Sequence, residues 1–355
     1  MKKVLATILA LVMALSVTTM AWADDVAKIG NTGYATLKEA IEHVANGETI
    51  VLTANVNNGD GIVVASGKNF TLDFAGHTYT ITQNVVGSTG TESQCFQLLK
   101  DSTITMKDGT IVANCAGARM IIQNYCNLTL DNMILNATAG DNNVGYVVSN
   151  NCGNVVIKNG TTITAKTTGV AFDVYGGFGD YGDVSVTLEA GATVNGKVEV
   201  ARGSGNQNKN TLTVTGGTVN GDLAVTPNAK TEVAVTGGTF SSDVSAYAAG
   251  DTPVASNNGT YYVGAETIQN AANTLSAGQQ LKIEKGTVTI NGNTVTAGTS
   301  YTVPSRYYYY QPTTDTKTTD TKGSPRTFDA GIALYVGMAL TSAAGVAFVG
   351  KKRED

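Results

Sequence analysis

Seven times through the middle of the chain, an alternating apolar strand meets a Gly or Asn pivot and continues as a second short strand. The units read TLDFAGHTYTIT from Thr71, TITMKDGTIVA from Thr103, LTLDNMILNA from Leu128, VVIKNGTTITA from Val155, VTLEAGATVNG from Val186, LTVTGGTVNG from Leu212 and VAVTGGTFSS from Val233. Their pivots are Gly76, Gly109, Asn132, Gly160, Gly191, Gly217 and Gly238, spaced by 33, 23, 28, 31, 26 and 21 residues. A repeat of this period reads as a solenoid. Period-two alternation puts Ile104 and Met106 on one face and Thr103 and Thr105 on the other. One coil then exposes an apolar face that only the next coil can bury. Gly and Asn suit the pivots because they accept positive φ at least cost. The 41 glycines against five prolines fit many short strands and tight turns. The pattern predicts an all-β parallel β-helix.

A cap precedes the first coil. Thr36-Leu37-Lys38-Glu39 is a capping box, and Leu37, Ala40, Ile41 and Val44 keep helical spacing up to Asn46-Gly47. The run ETIVLTA, 48–54, then alternates as a first strand. The segment YATLKEAIEHVANGETIVL resembles the N-terminal cap of pectate-lyase-like right-handed β-helix proteins. GGTFSSDVSAYAAG and NGTYYVG resemble the last coil of bacterial surface proteins with that fold. The resemblance implies a single-stranded right-handed parallel β-helix with an N-terminal capping helix over residues 24–264. From 265 to 303 the pattern shifts to a short helix and strands with an Asn291-Gly292 turn, a small accessory β module or cap.

The ends carry addresses. Lys2 and Lys3, an apolar run at 4–17 and Ala21-Trp22-Ala23 form a signal peptide over 1–23, cleaved after Ala23. Residues 304–328 are Thr-, Asp- and Lys-rich and read as a stalk. Residues 329–350 are long and apolar enough for a C-terminal transmembrane helix, and 351–355 are a short cytoplasmic tail opening with Lys351, Lys352 and Arg353. Ser324-Pro325-Arg326-Thr327-Phe328 with these features resembles the sorting signal of Gram-positive surface proteins. That resemblance implies sortase cleavage after Thr327 and a bond from Thr327 to peptidoglycan. Ser324 and Phe328 stand where that signal has leucine and glycine, so a plain membrane anchor is the alternative. Either way the chain is expected on the extracellular face, held to membrane or wall.

Without the five basic and two acidic residues of the ends, 18 basic and 26 acidic residues remain, a net charge of −8. That balance argues against nucleic acid as a partner. Cys95, Cys115, Cys126 and Cys152 lack the tight pairs of a zinc site. Aligning MIIQNYCNLTL with YVVSNNCGNVVI stacks Cys126 on Cys152, about 4.8 Å apart by strand spacing, which permits either a disulfide or a pair of buried thiols.

Two candidate sites emerge. Asp108 and Asp131 each precede a pivot in successive coils, a spacing near that of glycosidase carboxylates, although such corner residues more often serve turn amides. Arg119 and Arg202 lack an acidic partner motif, and His43 and His77 read as surface residues. The segment DVYGGFGDYGD, 173–183, breaks the coil pattern. Its Tyr175, Phe178 and Tyr181 suit sugar rings or peptide side chains, and Asp173, Asp180 and Asp183 suit hydroxyls or Ca²⁺. The alternative is a glycine-rich loop whose aromatics fold back onto the coil. No cofactor is expected beyond that Ca²⁺. The expected function is a non-catalytic, adhesin-like surface protein or interaction scaffold for a glycan or host protein. The rivals are an anchored polysaccharide lyase or glycoside hydrolase, and a structural wall component.

Overall fold

The computed structural model describes residues 25–202 and 207–305. The expected signal peptide, the stalk from 306 on with Thr327, and the 329–350 span lie outside the described residues. Among those described, no helix is long and apolar enough to cross a membrane. The structure is mostly β, 48 % strand with two α-helices, and its parallel sheets are consistent with a β-solenoid.

The register shows how the coils stack. One 20-stranded and one seven-stranded sheet hold the coils, most coils giving two strands, or one long bent strand, to the first and one strand to the second. Ile50, Leu72, Met106, Leu130, Ile157, Leu188, Val214 and Val235 pair in one continuous row. All are buried. Burying a side chain of this size contributes about 1.5–3 kcal/mol, and no coil could bury its own row alone. The adjacent outward row is Thr49, Thr71, Thr105, Thr129, Val156, Thr187, Thr213 and Ala234. Alternation places the threonines toward solvent, and Ile104 and Met106 face inward as the spacing predicts.

One corner differs from the sequence reading by one residue, while Gly76, Asn132, Gly160, Gly191, Gly217 and Gly238 turn at positive φ as expected. The strand Thr103–Ala113 bends at Asp108, φ 56°, and Asn127–Asn136 bends at Asn132, φ 53°. Asp108, not Gly109, is thus the positive-φ partner of Asn132. Gly109 is required for clearance: a Cβ there would sit 2.0 Å from Phe74 Cβ.

Helix α1, Leu37–His43, starts at the expected capping box, with Thr36 Oγ1 accepting from Glu39 N at 3.1 Å and Glu39 Oε2 accepting from Thr36 N at 3.2 Å. Leu37, Ala40 and Ile41 bury its inner face against the first coil. At the far end Gly238–Phe240 pairs antiparallel with Thr260–Val263, ending the parallel stack. Helix α2, Ala265–Thr274, and the strands after it share a second apolar cluster built on Ile268, Leu281, Ile283 and Ile290. The Asn291-Gly292 turn joins Thr287–Ile290 to Asn293–Thr296, both turn residues at positive φ.

The seven-stranded sheet holds an unexpected polar insertion. Its inward row reads Val64, Leu98, Asn124, Asn150, Val174, Val200 and Val225. Asn124 and Asn150 are fully buried. Asn124 Nδ2 donates to Cys126 O at 3.0 Å, and Asn150 Nδ2 donates to Asp173 O at 2.9 Å, so both satisfy backbone carbonyls at the coil corner. Asn124 pairs with Asn150, an offset of 26 residues that would set Cys126 level with Cys152, but the strand that follows pairs Leu128 with Val155, an offset of 27. All four cysteines are nevertheless free thiols in the structure. Cys126 Sγ donates inward to Asn124 Oδ1 at 3.2 Å, while Cys152 Sγ donates to the carbonyl of Tyr181. Burial pushes the Cys126 thiol up to about 12, which makes it a poor nucleophile.

Candidate functional site

The proposed carboxylate pair does not form. The register sets Asp108 opposite Asn132 and Asp131 opposite Lys107, because the corner falls at Asp108. The two carboxylates pair with different cations: Lys107 Nζ bridges Asp73 at 2.8 Å and Asp108 at 2.9 Å, and Lys158 Nζ is 2.9 Å from Asp131. The Asn132 amide, then Lys107, holds the Asp108 carboxyl below its ordinary range. A general acid needs the opposite shift. These residues are a corner ladder, the alternative their position suggested.

A different row of the fold gathers the chemistry. Along the outer face of the seven-stranded sheet run Val63, Gln97, Gln123, Ser149, Asp173, Glu199 and Ala224, one from each coil. Asp173 is 1 % exposed. Its Oδ1 accepts from Asn150 N at 2.7 Å and its Oδ2 from Ser149 Oγ at 3.3 Å. Burial pushes its carboxyl up to about 7, against the pull of these hydrogen bonds and of Arg202. Glu199, its neighbour in register, accepts from Tyr146 OH at 3.0 Å and pairs with Lys197 at 2.5 Å.

Arg202 ties this row to the loop. Its guanidinium donates to Tyr146 OH at 2.7 Å and lies 4.9 Å from the Tyr146 ring centroid and 4.7 Å from that of Tyr175. The acidic group that sequence spacing did not reveal is Asp173, which acts on Arg202 from a neighbouring coil, and Tyr146 lies 56 residues away in sequence. Beside Lys197 opens a groove of about 550 Å³ lined by Thr167, Asn195, Asn220 and Asp222 among others.

The 173–183 segment supplies an aromatic platform. Tyr181 packs on Tyr125 with ring centroids 4.6 Å apart, and Phe178 meets Tyr125, Tyr175 and Tyr181 edge-on at 5.9–6.0 Å. Edge-to-face contacts at these distances are favourable. Tyr125 is nearly buried at 9 %, while Phe178 and Tyr181 stay 40 % and 38 % exposed. The rings fold back onto the coil, and Phe178 and Tyr181 still present part of their faces to solvent. Lys100 lies 5.9 Å from the Tyr181 ring. The next coil holds the loop's backbone, with Asn208 Nδ2 donating to Phe178 O at 2.8 Å and Asn210 Oδ1 accepting from Gly176 N at 2.6 Å.

Asp180 is exposed at the loop tip. Asp183 is partly committed, since its Oδ1 accepts from Lys209 N at 2.9 Å. Among the described residues no group of three or more His, Cys, Asp or Glu side chains is arranged to hold a metal ion. His43 is exposed on α1, its Nδ1 2.8 Å from the Glu39 carbonyl, and His77 is half-buried at a turn. Tyr125 and Tyr146 were missed in the sequence because each sits at the start or end of an ordinary coil strand. No protein family, curated protein or solved structure matches the chain.

Proposed function

We propose that this chain is a non-catalytic surface protein whose right-handed parallel β-helix presents the aromatic loop to a glycan. The reading rests on one observation: Phe178 and Tyr181 keep exposed faces while being held from below by buried Tyr125. Such a platform offers apolar ring faces to a sugar, with Asp180 and Lys100 beside it as polar partners. The acidic balance of the chain, the signal-like 1–23 segment and the sorting-like end with Thr327 support presentation at the envelope by the 329–350 span or a wall bond.

The rival enzymatic reading finds a specific carboxylate pair in Asp173 and Glu199, adjacent in register. It is the weaker reading, because a catalytic acid must touch its substrate and Asp173 is 1 % exposed.

The test is to incubate the purified chain with acidic and neutral polysaccharides, with Ca²⁺ and with a chelator, while measuring binding and the appearance of reducing ends or unsaturated products. Binding without product release, lost on replacing Phe178 and Tyr181, is expected. Product release would overturn the non-catalytic reading. No binding to any member would remove the glycan platform.

A further inference from the structure

Two grooves of the 20-stranded sheet share one floor. The strands Thr193–Asn195 and Thr218–Asn220 pair in register and bury Val194 and Val219, so Thr193, Asn195, Thr218 and Asn220 face outward. Their last residues, Asn195 and Asn220, line the groove beside Lys197. Their first residues, Thr193 and Thr218, line a second groove of about 500 Å³, in which Thr239 of the next coil extends the row. Helix α2 walls this second groove with Glu266, Asn270 and Thr274, which lie four residues apart on one side of it. At the corner beneath the helix stand Gly191, Gly217 and Gly238, which carry no side chains to fill the space. The first and last residues of each floor strand are only about 6.6 Å apart, so the grooves follow one another along the strands as a single trough.

The lining selects the chemistry. The outward side chains of the floor are hydroxyls and amides, groups that both donate and accept. Asn220 Nδ2 donates to Asn195 Oδ1 at 2.9 Å and Asn195 Nδ2 to Thr164 Oγ1 at 3.2 Å, which fixes the amides as a ladder. The hydroxyls of Thr193, Thr218 and Thr239 and the side-chain amide of Asn270 have no partner among the described residues. Lys166 and Lys197 at one end are balanced by Asp222 beside them and Glu266 at the other, so the trough has no net charge. Tyr262, half-buried at the α2 end, adds a ring. An extended peptide fits poorly, because it would need a free sheet edge or pockets for apolar side chains. Each floor strand is paired on both sides. None of the exposed large apolar residues Val63, Ile134, Phe178 and Tyr181 lines the trough.

We propose that this trough is a second carbohydrate site, which holds an extended neutral oligosaccharide by hydrogen bonds from its hydroxyls to the Thr and Asn side chains of the floor and of α2. Each groove has a volume within the range of about 300–1,000 Å³ that ligand sites occupy. A uronic acid chain is disfavoured, because the groove under α2 holds Glu266 and no cation. The site uses no residue of the 173–183 segment and does not rest on the aromatic-platform reading.

The experiment is calorimetric titration of the full-length chain carrying Phe178→Ala and Tyr181→Ala, which removes the aromatic platform, with neutral glucan, xylan and mannan oligosaccharides and with oligogalacturonate. At least one neutral oligosaccharide should bind, with the same affinity at about 0.05 M and about 0.5 M salt, since no ion pair holds it. Adding Thr193→Val and Thr218→Val, which keep β-branched side chains on the strands, should weaken that binding about tenfold or more. Asn270→Ala should weaken it about threefold or more, and alanine favours the helix, so such a loss is not one of folding. Failure of every neutral oligosaccharide to bind overturns the site, as does tighter binding of oligogalacturonate or an affinity that neither set of substitutions changes. Binding seen in the wild type and lost entirely with Phe178 and Tyr181 leaves the platform standing and overturns the trough. Binding that persists without those rings and falls with Thr193, Thr218 and Asn270 establishes the trough, whatever the platform binds.

Discussion

Asp108 Oδ1 accepts a 2.9 Å hydrogen bond from Asn132 Nδ2, and both residues turn a coil corner at positive φ. The contact joins successive coils at the point where each changes direction. It also reassigns Asp108 from a candidate catalyst to a corner residue. Replacing Asp108 by Ala removes the bond and puts a less tolerant residue at φ 56°, at an expected cost of about 1–2 kcal/mol in urea unfolding. Asp108→Gly should recover most of that loss. An Asp108→Asn, Asp131→Asn double variant should leave any sugar release unaltered; a drop with the fold intact would restore the catalytic pair.

Gly109 makes a sharper test of the corner. Its added Cβ would lie 2.0 Å from Phe74 Cβ and 2.8 Å from the His77 carbonyl oxygen, neither of which is the far end of a flexible side chain. Gly109→Ala should therefore destabilise the protein by about 1–3 kcal/mol, as overpacking does. An unfolding midpoint equal to that of the wild type would mean that the coils yield at this corner.

The platform separates recognition from folding. Phe178→Ala and Tyr181→Ala remove partly exposed rings, so each should weaken binding to a responsive polysaccharide by about tenfold or more while shifting the unfolding midpoint little. Tyr125→Ala removes the nearly buried ring beneath them and should cost about 3 kcal/mol of stability as well. Equal stability losses in all three variants would argue that the loop is merely packed.

Global stability should also carry the signature of Asp173. Its folded carboxyl is raised to about 7 by burial, so the folded state keeps a proton that the unfolded chain releases near its ordinary value. The stabilisation is complete below that ordinary value and is lost as pH rises toward 7, no more steeply than about 1.4 kcal/mol per pH unit. Denaturant titrations at a series of pH values should show this decline in the wild type and its absence in Asp173→Asn. A decline of the same size in the variant would assign it to other groups.

Much of the architecture was legible in local chemistry. Alternation assigned Ile104 and Met106 to the core, the Thr36 and Glu39 side chains marked the start of α1, and Asn291-Gly292 marked a hairpin, because each signal lies within a few residues of its effect. The pairing of the strands that lead to Cys126 and Cys152 was also readable, since coils repeat their strand pattern. What local pattern could not supply was the register of one corner. Gly109 and Asp108 are adjacent, and both are residues that a turn accepts; only the packing of Phe74 against Gly109 decides which one bends.

The site divides the same way. The sequence by itself determined that the 173–183 segment departs from the coil and carries three aromatics, because composition alone records that. Only the tertiary structure brought Tyr125 under Phe178 and Tyr181, set Arg202 between Tyr146 and Tyr175, and left Asp173 1 % exposed. The physical reason is the stacking itself: a solenoid places residues some two dozen or more apart in sequence about 4.8 Å apart in space, and the variable loops between coils decide which of them meet.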